Sequence, residues 1–216
     1  MTSLRWHRLG ALGVGLLTLA CGNDSTEPPG PPADVVKSGG DGQSWYFNNP
    51  LPVPYGVTVR DANGRAVPGV SVAWTFVTGG GSLSPNPSTT DANGVATTIH
   101  TLGTATTYVV NATVTGLPSV TFSTTASAPP TSASVSVNDN SFSPATAVIQ
   151  TGGTVTWTWA GSNIHNLTFT SGPMPRPANQ DNQVTGTAQR TITTVGTYGY
   201  GCTNHAGMNG TVTVVN

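Results

Sequence analysis

The chain has 216 residues, enough for one or two domains; only 7% of them are charged, and the formal net charge is −1. That leaves no basic patch to neutralise phosphates, so nucleic acid is excluded as a partner class. Glycine, proline and threonine are abundant and no apolar pattern repeats at helical spacing, which predicts an all-β chain.

Residues 1–20 read as an export signal. Arg5, His7 and Arg8 supply the charged start, and Leu9 to Ala20 supply an apolar run too short to span a bilayer as a mature helix. The run ends in Leu17-Thr18-Leu19-Ala20-Cys21, which resembles a bacterial lipobox, with Leu at −2 and −4 where the usual pattern has it at −3. The resemblance implies lipidation of Cys21. The alternative is a signal cleaved near Ala20 that leaves Cys21 free. Residues 21–33, with Pro28-Pro29-Gly30-Pro31-Pro32, cannot pack and read as a semi-rigid tether. The expected location is the cell envelope, with the protein held at a membrane by its lipid. In Gram-negative lipoproteins, Gly22 after the cysteine implies outer-membrane sorting. A disulfide between Cys21 and Cys202 is the competing use of the two cysteines, and each has a better local explanation.

Residues 34–127 form the first folded unit. Val57 to Arg60 and Val70 to Phe76 alternate with period two, as half-buried strands do. Between them Asp61-Ala62-Asn63-Gly64 is a turn, and the signal recurs at Asp91-Ala92-Asn93-Gly94, before Val95 to His100. Thr107 to Val114 and Ser119 to Thr124 are further candidate strands, and the whole reads as a β-sandwich. The phrases Val59-Arg60-Asp61-Ala62-Asn63-Gly64-Arg65-Ala66-Val67-Pro68-Gly69-Val70, Gly79-Gly80-Gly81-Ser82-Leu83 and Thr90-Asp91-Ala92-Asn93-Gly94-Val95-Ala96 resemble bacterial immunoglobulin-like domains of the invasin/intimin repeat type. That resemblance implies a stalk or spacer. His100 is expected on a strand surface, and Asp61 and Asp91 are expected to shape turns; calcium would need a denser oxygen cluster than this stretch offers.

Residues 128–132 are a linker, since Pro129-Pro130 stops any strand. Residues 133–216 form the second unit. Its candidate strands are Ala133 to Val137, Thr146 to Gln150, Thr154 to Trp159, His165 to Thr170, Ala188 to Thr193, Gly196 to Gly201 and Thr211 to Val215. Gly172 to Gly186 holds either an eighth strand or a loop, and its Pro, Asn, Asp and Gly content favours the loop.

Within this unit Cys202, His205 and Met208 stand at Cys-x2-His-x2-Met spacing in one tight turn, and His165 lies upstream in Asn163-Ile164-His165-Asn166. One thiolate, two imidazoles and one thioether are the donor set of a blue-copper centre, trigonal His2Cys with a weak Met. Sulfur donors favour Cu(I) and imidazole accepts both copper states. Zinc competes poorly, because it prefers four good N, S or O donors and Met is a weak one.

Phe142-Ser143-Pro144, Gly152-Gly153-Thr154-Val155-Thr156-Trp157, Asn163-Ile164-His165-Asn166 and the run from Gly196 to Val212 together resemble cupredoxins of the plastocyanin/amicyanin type. The resemblance implies a Greek-key β-sandwich holding one type 1 copper. It makes His165, Cys202 and His205 equatorial ligands and Met208 axial, with Asn166 bonding from behind the ligands toward Thr203. Ala206-Gly207 stands where relatives often carry Pro. The function implied is one-electron transfer by a monomer between redox proteins, a donor and an acceptor, with His205 as the port. A copper oxidase or nitrite reductase would need a second, histidine-rich copper site, and after the signal only His100, His165 and His205 remain. Copper storage or delivery, and adhesion or scaffolding by the immunoglobulin-like unit, are the non-enzymatic rivals.

Overall fold

The computed structural model describes residues 27–216; the export signal read at 1–20 and the lipidated Cys21 lie outside the described residues. The first unit runs through β1 (Pro32–Gly39), β2 (Gln43–Tyr46), β3 (Tyr55–Asp61), β4 (Ser71–Thr78), β5 (Ser82–Ser84), β6 (Ser88–Thr89), β7 (Val95–Thr101), β8 (Thr107–Thr113) and β9 (Val120–Ser127). These strands make two sheets, ordered β1-β3-β7-β5 and β2-β9-β8-β4-β6. Period-two sequence sets which face is inward: in β8, Tyr108, Val110 and Ala112 are buried between more exposed neighbours. They meet Val57, Val59, Trp74 and Phe122 in one apolar core. The Trp74 indole N–H, buried there, donates to Ser88 Oγ at 2.8 Å.

The two Asp-Ala-Asn-Gly turns are tied by their aspartates. Asp91 Oδ1 accepts from the amides of Asn93 and Val95. Asp61 Oδ1 accepts from the amides of Asn63 and Arg65, while Oδ2 accepts from Gly30 N and Arg65 Nε. Burial alone would raise the Asp61 carboxyl; those donors outweigh it and lower its pKa to about 2.

His100 departs from its expected surface position. It is fully buried, while its neighbour Ile99 is 44% exposed. The cause is register: β3 pairs with β7 so that Ala96, Thr98 and His100 face inward. Once inside, the imidazole is satisfied by Tyr55 Oη on Nδ1 (3.2 Å) and Gly80 O on Nε2 (2.8 Å).

The second unit runs through β10 (Ser132–Asn138), β11 (Ser141–Ser143), β12 (Thr146–Gln150), β13 (Gly153–Trp159), β14 (His165–Phe169), β15 (Gln180–Gln183), β16 (Gly186–Ile192), β17 (Gly196–Gly201) and β18 (Asn209–Val215). Its two sheets are ordered β11-β10-β13-β16 and β12-β18-β17-β14-β15. The parallel pairs β10·β13 and β12·β18 brace the sandwich, one in each sheet. Trp157 of β13 packs edge-on against Phe169 and Tyr200 of the opposite sheet, at 5.9 and 5.4 Å between ring centroids.

The stretch expected as a loop from Gly172 to Gly186 contains β15, an edge strand antiparallel to β14. Gln180, Asp181, Asn182 and Gln183 bear no apolar alternation, because no second sheet covers this edge. The segment is pinned instead by Asn179 Oδ1, which accepts from Phe169 N, and by Arg190, which donates to the carbonyls of Ala178 and Asn179.

The two units touch. Asn49, only 3% exposed, donates through Nδ2 to Asn216 O (3.1 Å), and its Oδ1 accepts from Asn216 N (3.0 Å). Trp45 and Pro50 face Val195 and Val215 across an apolar cleft at the same junction.

Candidate metal centre

The segment 202–208 joins β17 to β18, an antiparallel pair in register from Gly196↔Val214 to Gly201↔Asn209. Cys202 N donates to Met208 O at 3.0 Å and Met208 N to His205 O at 3.3 Å, so the loop closes on itself. Gly207 sits at φ +81°, a left-handed conformation that L side chains resist. Cys202 and Met208 are 6% and 2% exposed, and His205 is half-buried.

His165 opens β14, which pairs with β17 through Thr168↔Gly201 and Phe169↔Tyr200. That pairing sets the first residue of β14 against the loop. The Trp159 indole N–H fixes the backbone there by donating to His165 O at 3.0 Å. One ligand atom each from His165, Cys202 and His205 lies within 4.8 Å of the others. Cys202 Sγ is 3.6 Å from His205 Nδ1, and the two imidazole centroids are 4.5 Å apart.

The His165 ring is fully buried, yet neither of its nitrogens reaches a hydrogen-bond partner among the described residues. Burying polar atoms without partners is unfavourable by about 1–3 kcal/mol each. An imidazole facing a buried thiol and a second imidazole is placed for a soft or borderline cation. With a thiolate, two imidazoles and the buried thioether of Met208, the residues fit copper in both oxidation states.

Behind the ligands, Asn166 clamps β14 to the loop. Its Nδ2 donates to Thr203 Oγ1 at 2.6 Å, and its Oδ1 accepts from Thr203 N at 2.9 Å. A further neighbour of the ligands is Asp139, which carries no motif in the sequence. It sits in the turn between β10 and β11, and its Oδ1 accepts from the amides of Ser162 (2.9 Å) and Asn163 (2.8 Å) in the loop that leads to His165. The same oxygen lies 3.6 Å from His165 Nε2. The Asn163 amide foremost, with Ser162 N and His165, holds this carboxyl below its usual range. Nothing in the local sequence marks an aspartate in the turn between β10 and β11 as a neighbour of the histidine that opens β14.

His205 is the member of the set that reaches the surface. It borders an open depression of about 640 Å³ lined by Ser162, Asn163, Ile164, Asn182 and Asn204. Asn204 Nδ2 donates to Asn182 Oδ1 at 2.8 Å, which ties the copper loop to β15. Among the described residues no Asp, Glu, Lys or Arg lines it.

Residues 48–128 match the family model of the bacterial Ig-like domain (group 1), and residues 130–215 match that of copper binding proteins, the plastocyanin/azurin family. A plastocyanin from Scenedesmus fuscus is 36% identical over 83 residues, 34% of this chain and 85% of the relative. Among solved structures, a purple cupredoxin from Nitrosopumilus maritimus is 28% identical with a TM-score of 0.35, covering 38% of this chain and 98% of that one. The oxidised plastocyanin of Dryopteris crassirhizoma is 29% identical, at a TM-score of 0.34 and the same coverage. Through residues 130–215, set behind a bacterial immunoglobulin-like domain, the chain belongs to the plastocyanin/azurin family of copper-binding proteins.

Proposed function

We propose that the protein is a one-electron carrier of the cell envelope, tethered to a membrane by a lipid on Cys21 and spaced from it by the immunoglobulin-like unit. The observation that carries the carrier reading is the convergence of His165, Cys202 and His205 within 4.8 Å at a site where only His205 meets the surface. A copper ion held there supplies reversible one-electron chemistry between Cu(I) and Cu(II). The chain contributes rigidity: the loop is closed by its own backbone bonds and clamped by Asn166, so the donors have little room to rearrange between oxidation states. Burial of Cys202 and Met208 keeps water from the sulfur donors. His205 gives a partner protein a path through its ring edge at the uncharged depression.

Catalysis would need a second metal site. Among the described residues the remaining histidine is His100, enclosed in the other unit and bonded to Tyr55 and Gly80. That favours a carrier over an oxidase.

The test is to load the protein with Cu(II) and record its visible spectrum and voltammogram beside Cys202→Ala. The expected result is an intense thiolate-to-copper band and a reversible wave, both absent from the variant. A colourless product, or copper that passes to a chelating acceptor faster than it exchanges electrons, would replace the carrier reading with binding or delivery.

A further inference from the structure

We propose that Asp139 is a positioning residue for the buried ligand His165: its carboxylate orients the imidazole with Nδ1 toward the metal and sets a fixed negative charge behind it. The inference rests on the copper reading above and extends it to a residue outside the ligand set.

The geometry supplies the argument. His165 Nδ1 and Nε2 are both buried and both without hydrogen-bond partners, so the ring has two polar edges to satisfy. One edge faces Cys202 and His205. Beside the other stands the carboxylate of Asp139, with Oδ1 3.6 Å from Nε2. A shift of about half an ångström closes that to hydrogen-bond length. A metal-bound imidazole ordinarily donates its second N–H to a carboxylate or carbonyl, which fixes its tautomer and orientation.

The carboxylate is itself held in place. The amides of Ser162 and Asn163 bind its Oδ1, so it fixes the loop that delivers His165 as well as facing the ring. Gly161 makes room for it: a Cβ built there would stand 2.4 Å from Asp139 Oδ1 and 2.7 Å from Asp139 N. Asn140, next in the turn, takes φ +64°, which turns the chain back immediately after the carboxylate. The other charged side chains of this unit are Arg176, Asp181 and Arg190, and Arg190 is engaged with the carbonyls beside β15. Asp139 thus sets a negative charge 3.6 Å from a ligand ring.

A negative charge here favours the oxidised ion, which carries one more positive charge than the reduced ion. Asp139→Asn removes the charge and keeps an oxygen to accept from Ser162 and Asn163. The variant is expected to keep its melting temperature and blue band and to favour Cu(I) by about tenfold, ~59 mV upward in midpoint potential for one electron. In the copper-free wild-type protein, 15N chemical shifts of His165 are expected to show the proton on Nε2, a readout independent of electron transfer. If both proteins turn blue with the same midpoint potential, or if wild-type His165 carries its proton on Nδ1, the positioning role falls while the copper reading stands. If wild type binds no copper as a blue centre, both fall together.

Discussion

A histidine buried in the immunoglobulin-like unit links a single residue to the pH response of that unit. Burial pushes the His100 pKa down, and the hydrogen bond to Gly80 O offsets this only in part. In the unfolded chain the imidazole takes its proton near pH 6.5, whereas in the folded chain it resists protonation to lower pH. Stability of the unit is therefore complete above about pH 6.5 and falls as pH drops below that value, levelling off under the folded pKa. Urea unfolding from pH 8 to pH 5 should show this loss, and His100→Gln should flatten it. The substitution should also lower stability at pH 8 by about 1–3 kcal/mol, because the buried Tyr55 hydroxyl loses one of its two partners and Gly80 O loses its imidazole donor. A wild-type profile flat across pH 6.5 would refute the assignment. Asp61 acts with the same sign, losing stability as pH falls, but in a lower window. Its pKa of about 2 lies below the unfolded value, so its contribution is complete above about pH 4 and disappears as pH falls toward 2. Asp61→Asn should remove that part of the acid transition without shifting the part near pH 6.5.

At the scale of elements, the copper loop depends on strands that place its donors. Trp157 sits where β13 meets Phe169 and Tyr200, directly under β14 and β17. Trp157→Ala should cost about 3–5 kcal/mol in chemical unfolding and broaden the copper spectrum. Asn166→Ala removes both bonds between β14 and the loop; because they are exposed, the cost to folding should be about 1–2 kcal/mol. Its larger effect should be on copper retention against a chelator, and unchanged retention would show that loop closure alone holds the site. These elements also mark what the sequence displays and what it conceals. Cys202, His205 and Met208 are legible because they share one turn and their spacing is short. His165 is legible as the second imidazole that the donor set requires, but only the pairing of β14 with β17 brings it to the loop. The stretch holding β15 favours a loop in sequence because a polar edge strand has no buried face to imprint an alternation. His100 was misplaced because β7 alternates threonines with both Ile99 and His100, and only its register against β3 decides which face is inward. Asp139 was concealed more deeply: its contacts are with amides of a distant loop, and backbone partners leave no pattern in side-chain sequence.

At the scale of the whole molecule, charge and geometry both bear on how a partner is met. The four charged side chains of residues 133–216 sum to zero, and none lines the depression beside His205. Electron exchange with a small redox protein should therefore change little with ionic strength. Stopped-flow rates that fell steeply with salt would show steering by charges this surface does not present. The direction in which the surface faces follows from strand polarity. β17 runs from Gly196 to Gly201 and ends at the copper loop, and β18 returns from Asn209 to Val215. Asn216, bound to Asn49, thus stands at the far end of the pair, roughly 20 Å from the site at about 3.3 Å per residue. A spacer attached there leaves the His205 face free. Two hydrogen bonds between a buried Asn49 amide and Asn216, beside the apolar cleft lined by Trp45, Pro50, Val195 and Val215, should make the two units tumble together. Backbone 15N relaxation should then give one rotational correlation time for both units, and Asn49→Ala should split it into two. Two times in the wild-type protein would mean that the Asn49–Asn216 contact does not persist in solution, and that the 128–132 linker alone joins the two units.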